Sequence, residues 1–332
     1  MKSLYIYAAV AAAATGCAFA ADRPTKSVEA VKPRVKIVAT TFPVYDWTRQ
    51  VLGERISATD LVLLQQSGID LHSYSPSAAD LRKIAACDLF LFVGGESDEW
   101  TKRALAQETN PRRRVLSLVS ALGSAAKEEK LVEGMEHDHD HHDCHHDDDH
   151  DEEEHEIDEH VWLSLRNASV LVKAIASEIA ALDAANRAEY LANAEAYCAR
   201  LLDLDRAYGA TVAEAKRRTL LVADRFPFRY LADDYGLEYY AAFAGCSAES
   251  EASFKTVAFL ARKVDELRLP VILVIEGARH KIADTVRRST ANGGQRVLTL
   301  DSMQSVTGES ANTTRYVDVM ARNLEVLKAA LN

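Results

Sequence analysis

Short β-branched and apolar runs alternate with stretches of helical period in both halves of this chain, and one long helical pattern separates the two series. Val35 to Thr41, Leu61 to Leu64, Asp88 to Val93 and Arg114 to Leu118 read as strands in the first half. Thr219 to Ala223, Tyr239 to Phe243, Val271 to Glu276 and Arg296 to Leu300 read as strands in the second. Strands separated by helices cannot pair through tight hairpins, so such a series folds as a parallel sheet with helices on its faces. Between the series, Asn167 to Ala181 is helical in period. From Arg187 to Lys216, Tyr190, Ala194, Tyr197, Leu201, Leu204, Tyr208 and Val212 then recur at spacings of three or four. A helix of that length spans about 45 Å and links its ends stiffly. The expected fold is α/β: two lobes, each a small parallel sheet flanked by helices, joined by one long rigid helix. Residues 34–186 form the N-terminal lobe, 187–216 the linking helix and 217–332 the C-terminal lobe.

The first residues read as a targeting segment, 1–20, outside the fold. Lys2 is followed by an apolar run from Leu4 to Ala14, eleven residues long, against the roughly 20 that a spanning helix takes. Two cleavage readings stand side by side. Ala18-Phe19-Ala20 would release a soluble protein, whereas Ala14-Thr15-Gly16-Cys17 resembles a lipobox that would leave Cys17 lipid-anchored. Either implies an extracytoplasmic location, in a periplasm or on the outer face of the cytoplasmic membrane. Residues 21–33, with two prolines, read as a tether. Five cysteines without CxxC spacing imply no disulfide framework, and Cys87 and Cys198 are expected to be buried as small hydrophobes.

The formal charge of −11 is local. Glu136 to His160 holds fourteen acidic residues and no Lys or Arg, and subtracting those fourteen charges leaves +3. No basic stripe remains, which argues against nucleic acid as a partner. The same region holds eight of the eleven histidines, between His137 and His155. Imidazole and carboxylate together suit zinc, copper or nickel. A tract without hydrophobic periodicity fixes no geometry, so 133–158 is expected to be a disordered loop that binds several ions loosely. A plain solubilising acidic segment would not need histidine.

Two other histidines stand at element junctions. His72 lies after the second strand, in Asp70-Leu71-His72-Ser73-Tyr74. His160 lies where the acidic tract meets a helix, in Asp158-Glu159-His160-Val161-Trp162. Each has an aromatic residue two positions on that could wall a pocket. Ligands in open α/β sheets bind outside the carboxyl ends of the strands, so acids there are the natural co-ligands. Asp301 follows the strand 296–300, Asp224 follows 219–223, and Glu276 ends 271–276 as a reserve. A helix cap (Asp301) or an arginine partner (Asp224) would serve equally well for these two. The metal candidates are therefore His72, His160, Asp301 and Asp224.

These motifs resemble the zinc/manganese cluster of periplasmic solute-binding proteins of ABC importers. Residues 70–77 resemble that family's DPHSYEPTP motif and residues 158–163 its DPHVWLDP motif, while 230–237, 297–302 and 316–327 give weaker matches. The resemblance covers nearly all of the mature chain. It implies two lobes bridged by a rigid helix, a buried Zn2+ or Mn2+ site, no catalysed reaction, a monomer, and delivery of metal to an importer permease in the membrane. A surface adhesin or metal sensor is the alternative, and a metallohydrolase the other rival, although no HExxH motif is present. One position departs from the pattern. A third family histidine stands three residues before a phenylalanine that aligns with Phe228, and here that place is Arg225, which cannot bind a cation. Asp224, Glu96 or Cys246 could substitute, and Arg225 is expected to be held off the metal by Asp224, Asp301, Glu276 or Glu96.

Overall fold

A computed structural model describes residues 34–66, 68, 70–106, 110–135, 156–247, 251–277 and 280–332. The expected signal segment, the tether and most of the His/Asp-rich tract lie outside these described residues.

The first half runs β1 (Val35–Ala39), α1 (Phe42–Leu52), β2 (Thr59–Leu63), α2 (Ala78–Ala86), β3 (Leu89–Phe92), α3 (Trp100–Ala106), β4 (Arg114–Ser117), α4 (Leu118–Leu122) and α5 (Leu165–Leu182). The long α6 (Arg187–Ala213) follows. Then come β5 (Thr219–Phe226), α7 (Arg229–Tyr235), β6 (Glu238–Ala244), α8 (Phe254–Leu267), β7 (Val271–Val274), α9 (Lys281–Ser289), β8 (Arg296–Thr299), α10 (Gly308–Ala311) and α11 (Tyr316–Leu331). The two sheets have the same plan, β2-β1-β3-β4 and β6-β5-β7-β8, and every neighbouring pair is parallel. The order of strands turns back between β1 and β3 and again between β5 and β7, the positions where α/β sheets open a crevice at their carboxyl ends.

Local sequence explains the elements. β3 is Leu-Phe-Leu-Phe and β7 is Val-Ile-Leu-Val, almost wholly buried, as strands covered by helices on both faces must be. Helix starts are set by side-chain caps: Ser77 and Asp80 form a reciprocal box at α2, Ser164 accepts from Asn167 N–H at α5, and Ser253 accepts from Thr256 N–H at α8. α6 has 27 residues, about 40 Å of helix, and buries Tyr190, Ala194, Tyr197, Leu201, Tyr208 and Val212.

One apolar cluster runs from Ile37 of β1 through α5 and α6 to Leu331 of α11. Buried hydrogen bonds tie the halves together. Trp162 Nε1 donates to Ser302 O (2.9 Å), Tyr316 OH to Trp162 O (2.6 Å), and Tyr316 N to an Asp46 carboxylate oxygen (2.9 Å). The link between the lobes is thus packed as well as covalent.

Two local expectations are corrected. β5 does not stop at Ala223. It runs on to Phe226 through a register shift between Val222 and Arg225, with Arg225 paired to Phe243, so Asp224 lies within the strand. At the two ends of the tract 133–158, expected as a disordered loop, the described residues are ordered: Met135 and Asp158 are buried, and Ile157 bridges Glu128.

Candidate metal centre

The site begins with a 3-10 turn, Leu71–Ser73, placed just beyond β2. Asp70 caps it, its Oδ1 accepting from His72 N–H at 3.0 Å. A second turn, Val161–Leu163, precedes α5. Asp158 Oδ1 accepts from His160 N–H at 2.9 Å and lies 3.0 Å from the ring Nδ1. The two turns bring the imidazoles together, with His72 Nε2 and His160 Nε2 3.3 Å apart. His160 is fully buried and the His72 side chain is 9% exposed. Asp158 holds the proton of His160 on Nδ1, which leaves the Nε2 lone pair turned toward His72.

A third group comes from the loop after β6. Cys246 Sγ and the two histidines offer ligand atoms that all lie within 4.8 Å of one another, the one such cluster of His, Cys, Asp and Glu among the described residues. The loop is fixed by Cys246 N–H donating to Glu129 Oε1 at 2.8 Å. It approaches this closely because residue 245 is glycine. A Cβ there would stand 2.9 Å from Phe226 O and 3.3 Å from the His160 ring.

Glu159 lies behind His72. Its Oε1 accepts from Ser97 N–H at 2.7 Å, its Oε2 is 3.6 Å from His72 Nδ1, and Ser97 Oγ is 2.7 Å from the same Nδ1. Gly95 makes room, since a Cβ on it would meet Glu159 Oε1 at 2.4 Å, and its φ of +90° suits glycine alone.

Burial and charge set the protonation of these groups. Burial, then the neighbouring His160, push His72 down to about 3. Burial also opposes charge on His160, but the hydrogen bond and charge of Asp158 outweigh it and raise that ring above its usual value. The pair thus carries at most one positive charge over the ordinary pH range. Burial raises the Cys246 thiol well beyond its usual range, helped by Glu129, Asp158 and Glu159. Burial lifts Glu159 to about 7.

The structure separates the residues singled out from sequence. His72 and His160 meet, whereas Asp224 and Asp301 are not part of the cluster. Asp224 Oδ1 accepts from Arg225 N–H at 2.9 Å, and Asp301 Oδ1 accepts from Met303 N–H at 2.8 Å. Burial raises both carboxyls, Asp301 to about 6, and the charge of Glu276 adds to each. Glu276 is itself engaged, accepting from Ser302 N–H, Ser302 Oγ–H, Gln304 N–H and Ser305 N–H at 2.6–3.3 Å. Arg225 is held by none of the expected acids. Its Nη2 pairs with Asp70 Oδ2, and Nη1 donates to Ser247 O at 3.3 Å. Burial opposes the Asp70 charge, but Arg225 and His72 lower its carboxyl on balance. Trp162 walls the site, 5.3 Å from the His160 ring, while Tyr74 packs on Trp100 instead. Of the three residues weighed as substitutes for the missing histidine, Cys246 is the one brought to the histidine pair.

Two matched α/β lobes on a stiff helix bring two imidazoles and a thiol together at their loops, a set of side chains that could hold a metal ion. The profile of the family described as zinc-uptake complex component A, periplasmic, matches residues 37–330, and the chain belongs to that family. The high-affinity zinc uptake system protein ZnuA of Bacillus subtilis is 31% identical over 306 residues, 92% of this chain and 90% of that protein. The zinc-binding lipoprotein AdcA of Streptococcus pneumoniae is 31% identical over 299 residues, 89% of this chain and 55% of AdcA. The chain thus spans about half the length of AdcA. Among solved structures, the metal-dependent lipoprotein YcdH of Bacillus subtilis superposes with a TM-score of 0.71 at 27% identity, over 90% of this chain and 99% of that one. The Zn(II)-bound ZnuA-like domain of Streptococcus pneumoniae AdcA gives 0.68 at 27%, again over 90% and 99%.

Proposed function

We propose that this chain is an extracytoplasmic receptor that takes up zinc on His72, His160 and Cys246 and surrenders it to the permease of an ABC importer. The observation that carries the reading is the 3.3 Å separation of the Nε2 atoms of the part-buried His72 and the buried His160. Two nitrogens on adjacent corners of a tetrahedron around zinc, each about 2.0–2.1 Å from it, stand about 3.3–3.4 Å apart. The Cys246 thiol adds a soft donor, which favours zinc over manganese. Water or a carboxylate completes the set. Asp224 and Asp301 belong to the separate acidic group around Glu276, a revision of the ligand set expected from sequence.

The receptor acts as a monomer and catalyses no reaction. A leader of the kind read at residues 1–20 supports export, and Cys17 supports a lipid anchor. The His/Asp-rich tract gathers ions loosely and feeds the buried site. Calorimetric titration tests this. The full chain should show one tight zinc site and several weak ones, and removal of 136–155 should abolish only the weak class. His160→Ala should weaken the tight site by more than the roughly 10–100-fold that supporting groups contribute. An unaltered tight site in His160→Ala would overturn the assignment.

A further inference from the structure

The extension of β5 past its register shift sets Arg225 beside the end of β6, paired with Phe243, just before the loop that carries Cys246. From there its guanidinium reaches both lobes. Nη2 pairs with Asp70 Oδ2, and Nη1 donates to Ser247 O at 3.3 Å. Asp70 caps the turn that carries His72, its Oδ1 accepting from His72 N–H at 3.0 Å. Ser247 directly follows Cys246. One side chain thus touches the neighbours of two proposed ligands, one ligand in each lobe. The Arg225 and Asp70 side chains are 18% and 17% exposed, so water and salt screen their attraction less than that of a surface pair.

A guanidinium suits this place. Its two terminal nitrogens lie apart in a rigid plane and serve two acceptors at once. Asp70 offsets its charge, so the cation does not stand unbalanced near a bound metal ion. We infer that Arg225 is a positioning residue: it braces the His72 turn of the first lobe against the Cys246 loop of the second, and holds both ligands within reach of one ion before the ion arrives. Ligands held in advance spare binding the entropy of ordering two loops. The inference rests on the zinc-receptor reading above.

The rival account is charge alone, a cation balanced by an anion. The double variant Arg225→Met with Asp70→Asn tells the two apart. It removes one charge of each sign, so the net charge is unchanged, and the amide oxygen at position 70 still accepts from His72 N–H. The brace is lost. Zinc affinity of the full chain, read by calorimetric titration, should fall by about 10–100-fold. In the metal-free full chain, hydrogen exchange of the His72 and Cys246 amides should quicken by about tenfold, while the amides of β3 and β7 keep their wild-type rates. Arg225→Lys keeps the cation but presents one nitrogen in place of two. It should hold Asp70 and release Ser247 O, so that exchange quickens at Cys246 and not at His72, and zinc affinity falls by about three- to tenfold. Wild-type zinc affinity in both variants would show that charge alone matters, and overturns the inference. So does exchange in the double variant that quickens equally across both sheets, the mark of a general loss of stability. If the wild-type chain binds no zinc, the receptor reading falls, and exchange in the metal-free chain still decides whether Arg225 braces the two segments.

Discussion

The two lobes share one strand order but use the carboxylates near their loop ends in opposite ways. On the first-half side, Asp158 lies against His160, Glu159 accepts from the Ser97 N–H beside His72, and Asp70 caps the His72 turn and pairs with Arg225. These acids lie against the imidazoles or against the turns that carry them. On the second-half side, Glu276 accepts four hydrogen bonds from the 302–305 segment, and Asp301 and Asp224 accept from main-chain N–H groups nearby. Those acids hold their own loops. Topology brings a residue to the crevice, but whether its lone pair is already committed decides whether it can be a ligand. In the proposed site the second lobe contributes a thiol from beyond the edge strand β6 rather than an acid.

That contrast breaks first at Cys246. Replacing it with alanine removes the second lobe's sole member of the ligand cluster, and zinc affinity should fall by more than 100-fold, the upper range for supporting groups. Cys246→Asp should recover binding but with altered preference, since a carboxylate suits manganese better than a thiolate does. The check is competition between zinc and manganese on each variant. A zinc-to-manganese preference identical in wild type and Cys246→Asp would remove Cys246 from the site.

A smaller, graded effect comes from pH. Zinc must displace the thiol proton of Cys246 at any ordinary pH, because burial raises that thiol. It must also displace the proton of His160 once pH drops below that ring's raised value. His72, pushed down to about 3, contributes no proton over the working range. Affinity should therefore rise about tenfold per pH unit near pH 8, and more steeply in acid where two protons leave. The metal-free protein behaves in the opposite sense at His160. Its raised value contributes stability that is present below the unfolded-state value of 6.5 and is lost as pH climbs through the folded-state value. Chelator competition across pH 5.5–8.5 measures the first, and a flat profile would contradict the protonation scheme.

The sequence showed the eight strands because apolar runs such as Val271–Val274 have no other stable environment than a covered sheet. It also showed His72 and His160, because two histidines at element junctions beside carboxylates are rare outside a site. It misplaced Asp224, since the register shift in β5 that carries the strand on to Phe226 leaves no mark in composition. The Arg225–Asp70 pair joins positions 155 residues apart, a contact set by how the lobes pack and not by any local pattern. Glu159 was hidden among the acids of the tract that precedes it, where one more carboxylate looks like solvation. The loops that differ from the expected site are those whose positions depend on packing between lobes.

The smallest effect, and the one that sharpens the comparison most, concerns Asp301. From sequence it was a ligand, and its loss should then cripple zinc binding. From the structure it belongs to the second lobe's self-engaged acids, so Asp301→Asn should change zinc affinity by less than about threefold, below the effect of even a supporting group. The same substitution should register in stability instead. Burial, with the charge of Glu276 adding, lifts the Asp301 carboxyl to about 6, above its usual value of 3.8. The folded protein therefore holds that proton more tightly than the unfolded chain, and ionisation of Asp301 weakens the fold as pH rises from about 4 to 6. Asparagine keeps an oxygen for the Met303 N–H and removes the charge. The metal-free variant should melt about 2 °C higher than wild type at pH 7.5, with the difference shrinking as pH falls toward the unfolded-state value of 3.8 and vanishing below it, where aspartic acid is neutral in both states. A hundredfold loss of zinc affinity in Asp301→Asn would restore it to the ligand set and show that the second lobe brings a carboxylate to the metal after all.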